Sequence, residues 1–313
     1  MVEAVVVFGA TGFVGRNLVE RLSRNIQRIV AVSRSGGPVA GANECVAMDH
    51  LREIGSLPSD TVVVDLAAQR YDASRFQMAQ SDILSANAMM ADAVYRFCVE
   101  RGLSEVRRAS SVAVYPAGID LLDDRCAVDL NAPPNPNETF YAWSKRWGEI
   151  LAGLYRDRFG VSTISFRLSN PYGPHDSLDP AHAHVLPAFV MRALAPGDSF
   201  VIKGSPAVRR DFVFVEDVCD VFETSLVWRG ETKAMNLCSG RTHTLLELAQ
   251  IILSLIGDGR PIVAKEEAVD GVAARVSPNA TVVEATGKTC FASLAEGLAP
   301  TIAWYIDALA KRG

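Results

Sequence analysis

The chain has 313 residues, of which 49% are hydrophobic and 21% charged, and its formal net charge is −5. That is enough for one large α/β domain, or two lobes, around a substantial core. The acidic balance without a long basic run argues against a nucleic-acid partner, and no apolar segment reaches the roughly 18 residues that a membrane helix needs.

The first apolar run, Val5–Phe8, ends in Gly9-Ala10-Thr11-Gly12-Phe13-Val14-Gly15, and a helical pattern follows at Leu18, Val19 and Leu22. Strand, tight turn and helix in that order form a site where backbone N–H groups and a helix N-terminus meet a pyrophosphate. Gly9 permits the turn, Gly12 leaves room for phosphate, and Gly15 lets the helix pack on the strand. Thr11, Phe13 and Val14 complete the expected cofactor loop. Glu3 and the immediate glycine turn do not read as a signal peptide, so a cytoplasmic location is expected.

Strands are expected at Ile29–Val32, Cys45–Met48, Thr61–Leu66, Glu105–Ser110 and Ser162–Arg167, with helices at Ser81–Arg101 and Ala142–Phe159. This alternation predicts an α/β fold with a doubly wound parallel sheet, a dinucleotide-binding domain over residues 1–169. After Asn170, prolines 171, 174, 180 and 187 break the pattern. Residues 170–313 are therefore expected to be mainly a smaller substrate-binding lobe, with a return to the first domain near residues 210–240. Arg209–Val221 reads as strand then helix, Thr244–Ile256 as an amphipathic helix, and Leu298–Ala310 as a closing helix. Asn131–Glu138 reads as a loop.

The six cysteines (45, 98, 126, 219, 238 and 290) form no C-x-x-C pair, and the five histidines form no H-E-x-x-H pattern. Buried thiols are expected, with no metal site and no disulfide set.

In a dinucleotide fold the end of the second strand meets the adenosine ribose. An acid there suits NAD, but this chain carries Ser33-Arg34-Ser35, and a cation with hydroxyls suits the 2′-phosphate of NADP. The competing reading makes Arg34 a solvated loop residue. Asp49, followed by His50, is placed to accept a hydrogen bond from the adenine amino group. Leu66, Ala67 and Ala68 end the fourth strand beside the cofactor path.

Tyr141 and Lys145 stand at i and i+4 on one helical face. A nearby ammonium stabilises phenolate and lowers a tyrosine pKa that is otherwise about 10, so Tyr141 becomes an acid for a carbonyl oxygen.

Together these residues resemble the extended short-chain dehydrogenase/reductase family, its nucleotide-sugar epimerase, dehydratase and reductase group. The matching motifs are Gly9-x-x-Gly12-x-x-Gly15, Asp49, Asp65-Leu66-Ala67-Ala68, Ser110-Ser111-Val112-Ala113-Val114-Tyr115, Tyr141-x-x-x-Lys145, Arg167 to Pro174, Arg210-Asp211-Phe212-Val213 with Asp217-Val218, and Asn236-x-x-x-Gly240. The departure is at Ser81–Ala93, where the usual Asn-Val-x-Gly-Thr helix start reads Asp82-Ile83-Leu84-Ser85-Ala86. The resemblance implies that Ser111, not Ser110, joins Tyr141 and Lys145 in catalysis, with Lys145 on the nicotinamide ribose. It also implies a homodimer through a four-helix bundle built from the two long helices. Ala86, Met89, Met90, Ala93 and Phe97 fit that interface or the core.

Within the family the run Asn170–Asp176 followed by Ala183–Ala188 is most similar to the GDP-fucose synthase branch. By that likeness Asn170, His184, Arg192, Arg210 and Arg275 face a nucleotide-diphosphate sugar. That branch uses a cysteine two positions after its serine for epimerisation, where this chain has Ala113. The 4,6-dehydratases carry an acidic pair where this chain has Val112-Ala113. The expected activity is NADPH-dependent reduction of the 4-keto group of a nucleotide-linked 4-keto-6-deoxy sugar. Two alternatives stand: an epimerase with tightly held NAD(P), and a non-catalytic dinucleotide-binding regulator.

Overall fold

The computed structural model describes residues 2–69, 80–136, 138–180, 183–265 and 277–312. The strands β1 (Ala4–Phe8), β2 (Arg28–Ser33), β3 (Glu44–Ala47) and β4 (Val62–Asp65) are short and rich in valine, as strands covered on both faces require. Helix α1 (Phe13–Leu22) joins β1 to β2. Helix α2 (Gln80–Arg101) leads to β5 (Glu105–Ser111), and α3 (Thr139–Phe159) leads to β6 (Ser162–Leu168).

Beyond β6 come β7 (Asn170–Tyr172), α4 (Val185–Leu194), β8 (Phe200–Lys203) and β9 (Arg209–Phe214). Helix α5 (Val215–Ser225) and β10 (Lys233–Leu237) then return to the first sheet. The chain closes with β11 (Thr242–Thr244), α6 (Leu245–Ile256), β12 (Ile262–Lys265), α7 (Ala280–Thr286) and α8 (Leu294–Ala310).

The main sheet has the order β10-β6-β5-β4-β1-β2-β3, and all its neighbours run parallel. This is the Rossmann arrangement: the order reverses between β1 and β4, which opens a crevice at the carboxyl ends of the strands. Strand β9 lies between β7 (parallel) and β11 (antiparallel), and β8 pairs with β12.

Among the described residues three large apolar cores follow from this layering, beside a small cluster of Val114, Tyr115 and Leu122. One face of the sheet packs Val5, Val7 and Met235 against α1 and α5 through Leu18, Leu22, Val218 and Phe222. The other face packs Val6, Phe8, Val63 and Val106 against α2 and α3 through Val94, Phe97 and Leu151. A third core, with Phe189, Phe200, Leu248, Ile252, Leu298 and Tyr305, holds the later helices together.

Strand β5 carries charge into the sheet, and alternation sends successive side chains to opposite faces. Arg107 pairs with Glu105 and donates to the Ser225 and Trp228 carbonyls near the end of α5. Arg108 turns to the other face and pairs with Asp65. Burial opposes the Arg108 charge, yet Asp65 holds that guanidinium above its ordinary pKa. Gly148 on α3 makes the space: a Cβ there would lie 2.4 Å from Arg108 Nε.

Several boundaries differ from the sequence pattern. The closing helix begins at Leu294 rather than Leu298, because Ser293 and Glu296 form a capping box ahead of Pro300. Pro187 does not interrupt the chain but sits in the first turn of α4, where no intrahelical N–H donor is needed. All six cysteines are free. Cys98, Cys219 and Cys238 are buried as expected, whereas Cys126 and Cys290 are exposed.

Two glycines in helices should respond oppositely to alanine. A Cβ on Gly15 would lie 2.3 Å from the Gly9 carbonyl oxygen, whereas one on Gly153 meets nothing within 4 Å. Gly15→Ala should cost about 1–3 kcal/mol by overpacking, and Gly153→Ala should gain about 0.5–1 kcal/mol of helix stability. Urea unfolding curves of the two variants check this.

Candidate active site

The carboxyl ends of the strands border a cleft of about 1350 Å³. Its floor is the glycine turn. Gly9 takes φ 77°, and its N–H donates to the Val32 carbonyl at 2.9 Å. A Cβ on Gly9 would lie 2.7 Å from the Leu66 carbonyl carbon, so the ends of β1 and β4 meet at the backbone. Gly12 caps α1 without a side-chain hydrogen bond. The first turn of α1 borders the cleft with the positive end of its dipole, and so fits a dinucleotide pyrophosphate.

Gly9, Thr11, Gly12, Phe13, Val14, Gly15, Ser33, Arg34, Leu66, Ala67 and Ala68 all line the cleft. Ser33 is buried and its Oγ has no hydrogen-bond partner among the described residues. Arg34 is exposed and donates to the side-chain oxygen of Gln69. Gln69 is held in turn by Asn87 of α2, whose Oδ1 accepts its N–H at 2.7 Å.

Asp49 and His50 do not line the cleft. They lie on a short 3₁₀ turn, Met48–Glu53, which kinks at His50. Asp49 is 79% exposed, and His50 Nδ1 meets Glu53 at 2.5 Å, which raises the imidazole pKa. Met48 reaches the cleft instead.

Ser111, Tyr141 and Lys145 line the cleft together. Ser111 ends β5 and caps the 3₁₀ turn Val112–Val114, where its Oγ accepts the Ala113 N–H at 3.1 Å. Helix α3 crosses beside it. Lys145 is buried, its Nζ donates to the Ala109 carbonyl at 2.9 Å, and it lies 5.7 Å from the centre of the Tyr141 ring.

Behind this group lies a network that the motifs did not single out as a unit. Ser110 Oγ donates to Glu149 at 2.6 Å. Arg167 grips the same carboxylate with two nitrogens, at 3.0 and 2.8 Å, and donates to the Tyr115 hydroxyl at 3.3 Å. Tyr115 donates to Asn236 Oδ1 at 3.0 Å. Burial works against the Arg167 charge, but Glu149 outweighs it and keeps the guanidinium above its ordinary pKa. Burial pushes the Tyr115 phenol up to about 12.

On the far wall, Asn170, His184 and Arg210 line the cleft. The Asn170 amide donates to the Asp211 carbonyl at 2.8 Å, and Arg210 donates to the Arg209 carbonyl at 2.8 Å. The Asp211 carboxylate accepts from Ser169 and Ser239, and burial raises its pKa. Arg192 is not in the cleft. It donates to the Val201 carbonyl at 2.6 Å and packs against the Phe189 and Phe200 rings, and burial lowers its pKa. Its place at the end of α4 turns it into the third core. Arg275 lies outside the described residues.

Ala86, Met89, Met90 and Ala93 of α2 line the cleft, whereas Phe97 is a core residue packed on Phe8. Among the described residues no group of acids, histidines and cysteines is placed to hold a metal ion. No helix among them is long and apolar enough to cross a membrane.

A Rossmann sheet, a glycine turn at its switch point and a Ser/Tyr/Lys group at the same edge define a class of nicotinamide-dinucleotide enzymes. The chain belongs to the NAD dependent epimerase/dehydratase family, whose model matches residues 5–238. It is 29% identical over 295 residues to a dTDP-4-dehydro-6-deoxy-D-allose reductase of Streptomyces bikiniensis, covering 86% of this chain and 88% of that one. It is 28% identical over 182 residues to a probable GDP-L-fucose synthase of Oryza sativa subsp. japonica, covering 57% and 55%. Among solved structures, the UDP-glucose 4-epimerase of Thermotoga maritima with UDP-glucose superposes with a TM-score of 0.80 at 22% identity, covering 98% of this chain and 99% of that one.

Proposed function

We propose that this protein reduces the 4-keto group of a nucleotide-linked 4-keto-6-deoxy sugar with NADPH. The observation that carries the reading is the meeting of Ser111, Tyr141 and Lys145 in one cleft with the glycine turn, while Val112 and Ala113 occupy the positions beside Ser111. Neither of those two side chains can carry a proton, so the acid–base pair for elimination or for C3/C5 epimerisation is absent at these positions. The relatives named as a 4-dehydro-sugar reductase and a fucose synthase support the same substrate class.

Hydride comes from the reduced nicotinamide when the dinucleotide is bound. Tyr141 donates its phenolic proton to the ketone oxygen as that oxygen gains charge. Lys145 stabilises the resulting phenolate through its ammonium and holds the ribose. Ser111 bonds the same ketone oxygen and fixes its angle. Asn170, His184 and Arg210 face the sugar nucleotide from the opposite wall. The turn of α1 takes the pyrophosphate, and Ser33 with Arg34 takes the 2′-phosphate; the Ser33 hydroxyl, buried without a partner, supports that assignment.

We also propose that α3 meets a second copy of the chain. Trp143, Trp147, Ile150 and Leu154 repeat at spacings of four, three and four along it, and all four are exposed. Such a row is the seam of a helix–helix contact.

Incubation with NADPH and a panel of dTDP-, GDP-, UDP- and CDP-linked 4-keto sugars, read by NMR, tests the function. Stoichiometric loss of nicotinamide absorbance is expected; turnover without NADPH consumption would mark an epimerase. Tyr141→Phe should lower kcat by about 10²–10⁴-fold with NADPH affinity kept. Arg34→Ala should weaken NADPH about tenfold and leave NADH unchanged, as measured by fluorescence titration. Trp147→Glu should convert a dimer to a monomer in sedimentation-velocity runs.

A further inference from the structure

We propose that Glu149 is a positioning residue: with Arg167 and Ser110 it sets Ser111 in register with Tyr141 and Lys145. The inference rests on the catalytic reading above and extends it to a residue outside the reacting group. Tyr141, Lys145 and Glu149 follow one another at four-residue spacing on α3, and so lie along one helical face. The Glu149 carboxylate takes the Ser110 hydroxyl at 2.6 Å, immediately before Ser111 in the chain. Through Arg167 it also reaches the Tyr115 hydroxyl, just after the turn that Ser111 caps. One carboxylate therefore grips the chain on both sides of Ser111.

The grip is stiff because it is dry and fully engaged. The Glu149 and Arg167 side chains are 6% and 7% exposed. Both carboxylate oxygens accept hydrogen bonds, and the guanidinium is used by Nε and both terminal nitrogens. A bidentate charged pair fixes direction as well as distance. Lys145, bonded to the Ala109 carbonyl, makes a second tie between α3 and β5 one helical turn away. Two ties one turn apart fix both the slide and the rotation of α3 against the strand that ends in Ser111.

Removing Glu149 would leave Arg167 charged and unpaired in the interior, so the mild variant is Ser110→Ala, which keeps the ion pair and cuts only the tether. The expected result is a fall in kcat of about 10- to 100-fold, with KM for NADPH unchanged and the melting temperature lowered by only a few degrees. Ser110→Thr, which keeps the hydroxyl, should restore kcat. An independent readout is hydrogen exchange at the Ala113 amide, which donates to Ser111 Oγ; it should speed up about tenfold in Ser110→Ala. Native kcat in Ser110→Ala, or native exchange at Ala113, overturns the inference. If the unmutated protein reduces no 4-keto sugar, the functional reading fails, and the Ala113 exchange rate still decides whether Ser110 holds the turn.

Discussion

The cleft depends on a backbone contact at the end of β1. Gly15 approaches the Gly9 carbonyl so closely that no side chain fits between them. That contact lays α1 directly over the strand and leaves its first amides facing the cleft. Gly9 in turn presses on Leu66 and Ala67, so the ends of β1 and β4 are joined without intervening side chains. The same helix reaches the other wall: Asn17 donates to the Phe13 carbonyl and, at 2.9 Å, to that of Pro174. One short helix thus aligns the glycine turn with the loop that follows β7.

A second constraint comes from charge inside the sheet. Glu105, Arg107, Arg108 and Arg167 sit in the central strands β5 and β6, and all are buried. Each is paired: Arg107 with Glu105, Arg108 with Asp65, Arg167 with Glu149. Such pairs add little net stability, yet losing one partner costs about 3–5 kcal/mol, so they penalise misplaced strands and helices strongly. Arg108–Asp65 ties β5 to β4, Arg107–Glu105 lies within β5 itself, and Arg167–Glu149 joins the neighbouring β6 to α3.

Much of the first half was legible in the sequence because its signals are local. Valine runs mark β1, β2 and β4; the glycine triplet marks the turn; the Tyr141/Lys145 spacing marks one helix face. The later lobe was less legible. Strands β7, β8, β11 and β12 are three or four residues long, too short for periodicity to show, and they form only through distant partners. Pro187 read as a break although the first turn of a helix accepts it. Arg192, assigned to substrate by likeness, is drawn away by two phenylalanine rings and a carbonyl. Asp49 and His50 follow a strand that does reach the cofactor edge, but a kinked 3₁₀ turn swings them outward. Glu149 carries no signal beyond its spacing, since its partners lie on two other strands.

The position of β10 has a consequence for synthesis on the ribosome. Strand β6 ends at Leu168, and the strand that covers its free edge begins only at Lys233. The whole of β7, α4, β8, β9 and α5 must emerge before that edge is capped. Until then the nascent sheet presents an edge of unpaired backbone N–H and C=O groups, a template for pairing with other chains. Closing the long excursion carries a loop-entropy penalty that the sheet recovers only at the last strand. The vulnerable interval in the life of this protein is therefore the time between translation of those two strands.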